Sequence, residues 1–307
     1  MAKQPLDPRL TEQRNPRTAE IDRLSSLEIV DVINAEDQGV APAVHAERRG
    51  IARAIDLVEA AFRAGGRLFY VGAGTSGRRG VRDASEMPPT FGIPAEMVQG
   101  IIAGGLDAVV RAIEGAEDHP ELGAEEVDAR EIGGNDVVIG IASSGTTPFV
   151  HGALRRAAER GARTGFILCT PPSEEMLAAY DVVIAPLVGP EVVTGSTRMK
   201  AGTATKLVLN TISTGAMIRM GKTFGNLMVD LRATNVKLQD RSERILMEVL
   251  DLTREEAAEL LGCAGGSVKM AIAIYWTDST AEQAARALQD ADGRRARNIE
   301  EGRAHAS

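Results

Sequence analysis

The sequence predicts a doubly wound α/β domain with a mainly parallel, five-stranded sheet, N-terminal helices before it and a helical C-terminal region after it. Three observations carry this. Five short runs are almost continuously apolar, as strands covered on both faces are. Segments of helical spacing separate them, and strand–helix alternation with right-handed crossovers builds a parallel sheet. After the fifth run only helical periodicity continues.

Taken in order, Ser25 and Glu28 have the spacing of a capping box ahead of Ile29, Val30, Val32 and Ile33. Ile51, Ala54, Ile55, Val58 and Phe62 form the stripe of a second helix, which Gly65 and Gly66 end. Strands are expected at 67–71, 97–102, 136–142, 164–169 and 181–187. The helix opening at Gly77 should stop before Pro88, because proline disfavours helical backbone in its predecessor. That leaves Glu86 at a helix end. Residues 198–250 read as long helices and 253–290 as shorter ones, with Thr253 and Glu256 repeating the capping-box spacing. The arginine-rich stretch 293–307 reads as a surface tail. The division expected is a helical arm at 1–50, a ligand-binding α/β domain at 51–222, a helical region at 223–295 and a tail at 296–307.

Composition narrows the function. The chain has 307 residues and a formal net charge of −8. Nucleic-acid affinity rests on phosphate neutralisation, so an acidic chain argues against it. Aromatics at 3% leave little for base stacking. Two distant cysteines, Cys169 and Cys263, make no disulfide framework and fit a reducing compartment. The four histidines (His45, His119, His151, His305) lack metal-ligand spacing and read as incidental. No signal-peptide core and no long apolar run is present, so no membrane span and a cytoplasmic location are expected.

In open α/β sheets ligands bind beyond the carboxyl ends of the strands. Two loops there are alike. The first is Gly72-Ala73-Gly74-Thr75-Ser76-Gly77 and the second Ser143-Ser144-Gly145-Thr146-Thr147-Pro148. Glycines let the backbone approach an anion, the following helix offers free N–H groups, and hydroxyls add donors. A phosphate held by neutral donors is the reading for the pair; ordinary turn chemistry would account for either alone. The first loop also spells G-x-G-x-x-G. A dinucleotide site would want a carboxylate after the second strand, where Met97-Val98-Gln99-Gly100 has none.

Glu86 and Glu117 stand near these loops in sequence. Each alone reads as a surface charge; together they could divide acid and base roles. A third motif runs through Gly189, Glu191, Thr194, Ser196, Thr197, Arg198 and Lys200 into a helix. Cations at a helix start oppose its dipole. A bound anion would offset that; the alternative is an N-cap with solvated basic residues.

The run 189–206 resembles the signature shared by N-acetylmuramic acid 6-phosphate etherases and the glucokinase regulatory protein. The two loops resemble those of sugar isomerase (SIS) domains, and the segments 83–90, 114–118 and 225–230 resemble the etherase pattern. The regulatory protein carries two SIS halves in a much longer chain; this chain has room for one. The resemblance implies cleavage of the D-lactyl ether of the phosphorylated amino sugar, without metal or organic cofactor, by a homodimer. It implies Glu86 as proton donor and Glu117 as second catalytic glutamate. It points to Gly74, Thr75, Ser76, Ser144, Gly145, Thr147, Glu191, Thr194, Ser196, Thr197 and Lys200 as substrate contacts. A general acid working near neutrality must hold its proton, so burial of Glu86 is expected. This chain departs from the family at Met87, where many members have cysteine, and at Thr146, where many have arginine. A non-catalytic phosphosugar sensor and an aldose–ketose isomerase are the rival readings.

Overall fold

The computed structural model describes residues 9–230 and 236–290. The arm is a series of short turns leading into α1 (Ser26–Asp37), α2 (Val40–Ala46) and α3 (Arg48–Arg63). Then come β1 (Leu68–Gly72), α4 (Gly74–Phe91), β2 (Val98–Ile102), α5 (Asp107–Val110), α6 (Pro120–Ala129) and β3 (Val137–Ile141). They are followed by α7 (Pro148–Glu159), β4 (Arg163–Ile167), α8 (Glu174–Ala179), β5 (Val182–Ile184) and α9 (Lys200–Arg219). A two-stranded hairpin, β6 (Thr223–Phe224) and β7 (Leu227–Met228), precedes α10 (Val236–Leu250), α11 (Arg254–Cys263), α12 (Val268–Thr277) and α13 (Ala281–Asp290).

By their internal contacts the residues divide into two compact units. The first is Met1–Ser85 with Ala95–Thr214, and the second Glu86–Pro94 with Gly215–Ser307. The first holds the sheet, five parallel strands in the order β2-β1-β3-β4-β5. The expected doubly wound sheet is present. β1, β3 and most of β4 are buried on both faces, as the continuous apolar runs require. Alternation along the strands sorts the two faces. Phe69, Val71, Val138 and Phe166 pack with Phe149, Val150 and Leu154 of α7 and Val127 of α6.

Tyr70, on the opposite face of β1, meets α4. The approach is closer than any side chain allows. A Cβ at Gly80 would lie 2.7 Å from that of Tyr70, and one at Gly100 of β2 2.5 Å from the Cα of Val81. The glycines therefore serve helix-to-sheet packing as well as the loop. On this face Asp83 of α4 accepts hydrogen bonds from Asn210 (2.5 Å) and Ser213 (3.3 Å) of α9. Burial, with the Asp83 charge, pushes the Tyr70 phenol beside them well above its ordinary range.

Both capping boxes form, at Ser25 with Glu28 and at Thr253 with Glu256. Ile51, Ala54, Val58 and Phe62 are the buried stripe of α3. Around the helix after β1 and beyond the fifth strand the elements differ from the sequence reading. The helix after β1 starts at Gly74, so Thr75, Ser76 and Gly77 form its first turn. The same helix runs through Pro88 and Pro89, and Glu86 lies inside it. Each proline removes only its own N–H, while the buried Met87 and Phe91 keep the last turn packed and the Gly92 N–H closes it on the Pro88 carbonyl at 2.9 Å. Strands also do not cease after the fifth: in the second unit β6 and β7 pair antiparallel around Gly225-Asn226, with Gly225 at φ +56°. The hairpin divides the helical stretch 198–250. Leu246, Ala257, Val268 and Ile272 are the centre of that unit's own core. The tail at 293–307 lies outside the described residues.

Candidate active site

The strand order places a topological switch between β1 and β3, whose connections leave for opposite sides of the sheet. Ligands bind in the crevice at such a point. Gly72 pairs with Ile141 in register, so the two hydroxyl-rich loops leave adjacent strands at the same level. The first loop turns tightly. A Cβ on Gly72 would sit 2.6 Å from the Gly77 nitrogen, and Gly74 has φ +50°, a left-handed conformation suited to glycine. Thr75 and Ser76, half-buried, stand in the first turn of α4, where N–H groups lack helical partners.

The second loop turns at Gly145, with φ +78°, its N–H bonded to the Ala142 carbonyl at 2.9 Å. Ser144 Oγ and Thr146 Oγ1 lie 3.0 Å apart, and the Thr170 hydroxyl donates to the Ser144 carbonyl at 3.2 Å. Thr147 is the N-cap of α7, with Pro148 in the first helical position. The apex has a second anchor. His151 Nε2 lies 2.8 Å from the Gly145 carbonyl and His151 Nδ1 3.0 Å from the Tyr180 hydroxyl. A carbonyl can only accept, so Nε2 donates to Gly145; Nδ1 and the Tyr180 hydroxyl share the second hydrogen bond. Burial holds the Tyr180 phenol above its ordinary value. The imidazole also stacks on Phe166, ring centres 5.3 Å apart. This histidine is far from incidental, although lone histidines carry no sequence signal of such a role.

Changing His151 to Phe keeps the stack and deletes the donor to Gly145. One lost hydrogen bond is worth about 1 kcal/mol, so on the reading of this loop as a phosphate site the affinity for inorganic phosphate should fall about three- to tenfold. Calorimetric titration measures it, and unchanged affinity would show that the loop keeps its shape without the imidazole.

Between the first loop and the segment after β2 lies a cleft of about 320 Å³. Its walls include Ala73, Gly74, Arg78, Ile113, Glu114 and Glu117. Arg78 fixes the far wall: its guanidinium donates to the carbonyls of Val109 and Arg111, both at 2.9 Å. Gly115, at φ +74°, then turns the chain into the single helical turn Ala116–Asp118 that carries Glu117. Gly74 and Glu117 thus border one cavity. Glu86 lies in the second unit by contacts and is exposed in the single chain, against the burial expected for it.

The third motif is placed differently from its sequence reading. The helix begins at Lys200, not at Arg198. Glu191 is fully buried, and its carboxylate accepts the N–H groups of Lys200 (3.0 Å) and Ala201 (2.9 Å). The protein's own carboxylate therefore fills the anion position at this helix N-terminus. Burial nevertheless pushes the Glu191 carboxyl above its ordinary value. Lys200 is equally buried, its ammonium 2.7 Å from the carboxylate of Glu36. Both side chains have partners within the protein. Thr194 is exposed, Ser196 and Thr197 half-buried, in turns that precede α9. Thr146 is exposed and Met87 buried. Among the described residues no group of three His, Cys, Asp or Glu side chains is placed to hold a metal ion, and no helix is long and apolar enough to cross a membrane.

Comparison with known proteins agrees with this geometry. Residues 50–158, from α3 through α7, match the model of the glucokinase regulatory protein N-terminal SIS domain. The N-acetylmuramic acid 6-phosphate etherase of Gloeobacter violaceus is 54% identical over 284 residues, which cover 92% of this chain and 92% of that protein. The protein of the same name from Synechocystis is 53% identical, covering 90% of each chain. The one from Aeromonas hydrophila is 52% identical, covering 92% of this chain and 95% of its own. With a SIS-type sheet, paired hydroxyl loops at its switch point and this likeness over nine-tenths of its length, the chain belongs to the N-acetylmuramic acid 6-phosphate etherase family.

Proposed function

We propose that this protein cleaves the D-lactyl ether of N-acetylmuramic acid 6-phosphate with water, giving N-acetylglucosamine 6-phosphate and D-lactate, in cell-wall amino sugar recycling or catabolism. The observation that carries the reading is the pair of Gly/Ser/Thr loops on adjacent β1 and β3, with a carboxylate-walled cleft beside the first, in a member of the etherase family. The loops supply neutral donors for the phosphate through Thr75, Ser76, Ser144 and Thr147 and the glycine backbones. The cleft volume is at the lower end of ligand pockets, about 300–1,000 Å³.

Direct hydrolysis of an ether is slow because an alkoxide leaves poorly. The open-chain aldehyde of the sugar offers an easier path, since the hydrogen beside its carbonyl is acidic. Glu117 takes that proton, and the electron pair moves into an enolate. The enolate re-forms the carbonyl, a carbon–carbon double bond forms, and lactate leaves from the next carbon as Glu86 protonates its oxygen. Water, deprotonated by Glu86, then adds to that carbon and a proton returns to its neighbour. Binding energy from the phosphate, remote from the reacting carbons, goes into orienting them. Thr194, Ser196 and Thr197 are candidates for the lactyl end.

A homodimer and a cytoplasmic location belong to the proposal. Leu27 and Val30 on α1 are 71% and 51% exposed, apolar surface that a second copy could cover. The test is to mix purified protein with the substrate and assay D-lactate. In deuterated water the product should gain deuterium at the carbon bearing the acetamido group. In oxygen-labelled water the label should enter the sugar and not lactate. Label in lactate would sink the elimination scheme. Binding without lactate would favour a sensor, and proton exchange with ketose formation an isomerase.

A further inference from the structure

The second loop offers hydroxyls and backbone N–H groups but no cation of its own. A guanidinium nevertheless stands there, brought from the other end of the sequence. Arg9 Nη1 donates to Thr146 Oγ1 at 3.4 Å, across 137 residues of chain. Its delivery is fixed by the segment that follows. Thr11 is fully buried, and its carbonyl accepts the Gly195 N–H at 3.3 Å. The Asn15 amide donates to the Glu36 carboxylate at 2.9 Å and to the Pro190 carbonyl at 3.3 Å. The Thr18 hydroxyl donates to the Val192 carbonyl at 2.8 Å. Residues 9–18 are thus a strap, fastened to the segment before α9 and ending on the Thr146 hydroxyl.

We propose that Arg9 is a substrate-binding residue, the cation that pairs with the phosphate held in the second loop. The proposal rests on the reading of that loop as a phosphosugar site. At 3.4 Å its bond to a neutral hydroxyl is long for an N–H···O contact. A phosphate oxygen accepts charge-assisted bonds at about 2.7–2.9 Å, and a guanidinium can give two in parallel. A phosphate oxygen is thus a stronger acceptor for that N–H than the Thr146 hydroxyl. The guanidinium also supplies positive charge to an anionic ligand in a protein of net charge −8. Where a loop residue carries no charge, a strap can bring one.

The experiment titrates wild type, Arg9→Gln and Arg9→Lys with N-acetylglucosamine 6-phosphate, N-acetylglucosamine and inorganic phosphate, and records Tm for each. Arg9→Gln should bind both phosphorylated ligands about tenfold more weakly or worse. The difference should shrink as salt rises, Tm should hold, and Arg9→Lys should recover part of the affinity. Equal affinity in wild type and Arg9→Gln would overturn the role of Arg9 while leaving the phosphosugar site intact. So would an equal loss for phosphorylated and unphosphorylated sugar with a lowered Tm, which would make the strap purely structural. If wild type itself shows no preference for the phosphorylated sugar, the parent reading falls and takes this one with it.

Discussion

Glu86→Gln is expected to lower kcat by about a hundred- to ten-thousandfold, the range for one general acid–base group, while phosphosugar affinity stays near that of wild type. The substitution keeps size and hydrogen-bonding shape but removes the transferable proton. It also separates the two halves of the reaction. Taking the proton beside the carbonyl needs only the base, so Glu86→Gln should still exchange that hydrogen with deuterated water while releasing no lactate. Glu117→Gln should stop both. The readouts are lactate by coupled assay and deuterium by mass. Glu86 is exposed in the single chain, so what shields it from water during turnover must be brought by substrate or by a second copy. Lactate release unchanged by Glu86→Gln would remove the acid from the scheme. Loss of exchange in both variants would mean that Glu86 is needed for the first proton transfer too.

What the sequence discloses here follows the reach of each interaction. The five strands are legible because burial, on both faces for β1, β3 and most of β4, leaves a local mark, a short apolar run closed by Gly, Pro or a hydroxyl residue. The paired loops are legible because glycine and hydroxyl side chains at a strand end have few other uses. Their adjacency is not, since it depends on β1 pairing with β3. The β6–β7 hairpin was within reach: Gly225-Asn226 between Thr223-Phe224 and Leu227-Met228 is a two-residue turn signal, but two-residue strands show no alternation. The continuation of α4 through Pro88 and Pro89 is set by the burial of Met87 and Phe91 around it, which no local rule contains. Furthest from view are Arg9 at Thr146, His151 at Gly145 and Glu36 at Lys200. The first and last join residues more than a hundred positions apart. Within the motif Glu191 to Lys200, read as an anion site, Glu191 meets the helix N–H groups and Glu36 the Lys200 ammonium, partners that the motif's own spacing does not show.

That last arrangement carries the largest stability effect. Lys200 and Glu36 are 2% and 3% exposed in their side chains, with nitrogen and oxygen 2.7 Å apart. Removing one member of a buried pair typically costs about 3–5 kcal/mol, because the other charge stays behind without water. Lys200→Met should fall toward the lower end, since Arg17, at 2.6 Å and largely solvated, remains with Glu36. For a unit of this size that lowers Tm by about 6–12 °C. The double variant Lys200→Met with Glu36→Leu should recover much of the loss, because an apolar pair leaves no stranded charge. The pH dependence has a definite sign. Burial pushes the Glu36 carboxyl up, but the Lys200 ammonium, the Asn15 amide and the Arg17 guanidinium outweigh it and hold the group below its ordinary value. Stability from Glu36 is therefore complete above the ordinary glutamate range and is lost as pH falls through its lowered folded value. Glu191, raised by burial, works with the opposite sign, so the informative quantity is wild type minus Glu36→Gln across the acid range. That difference should shrink as pH falls. A difference that stays constant, or a double variant no more stable than Lys200→Met, would show that the pair contributes packing alone.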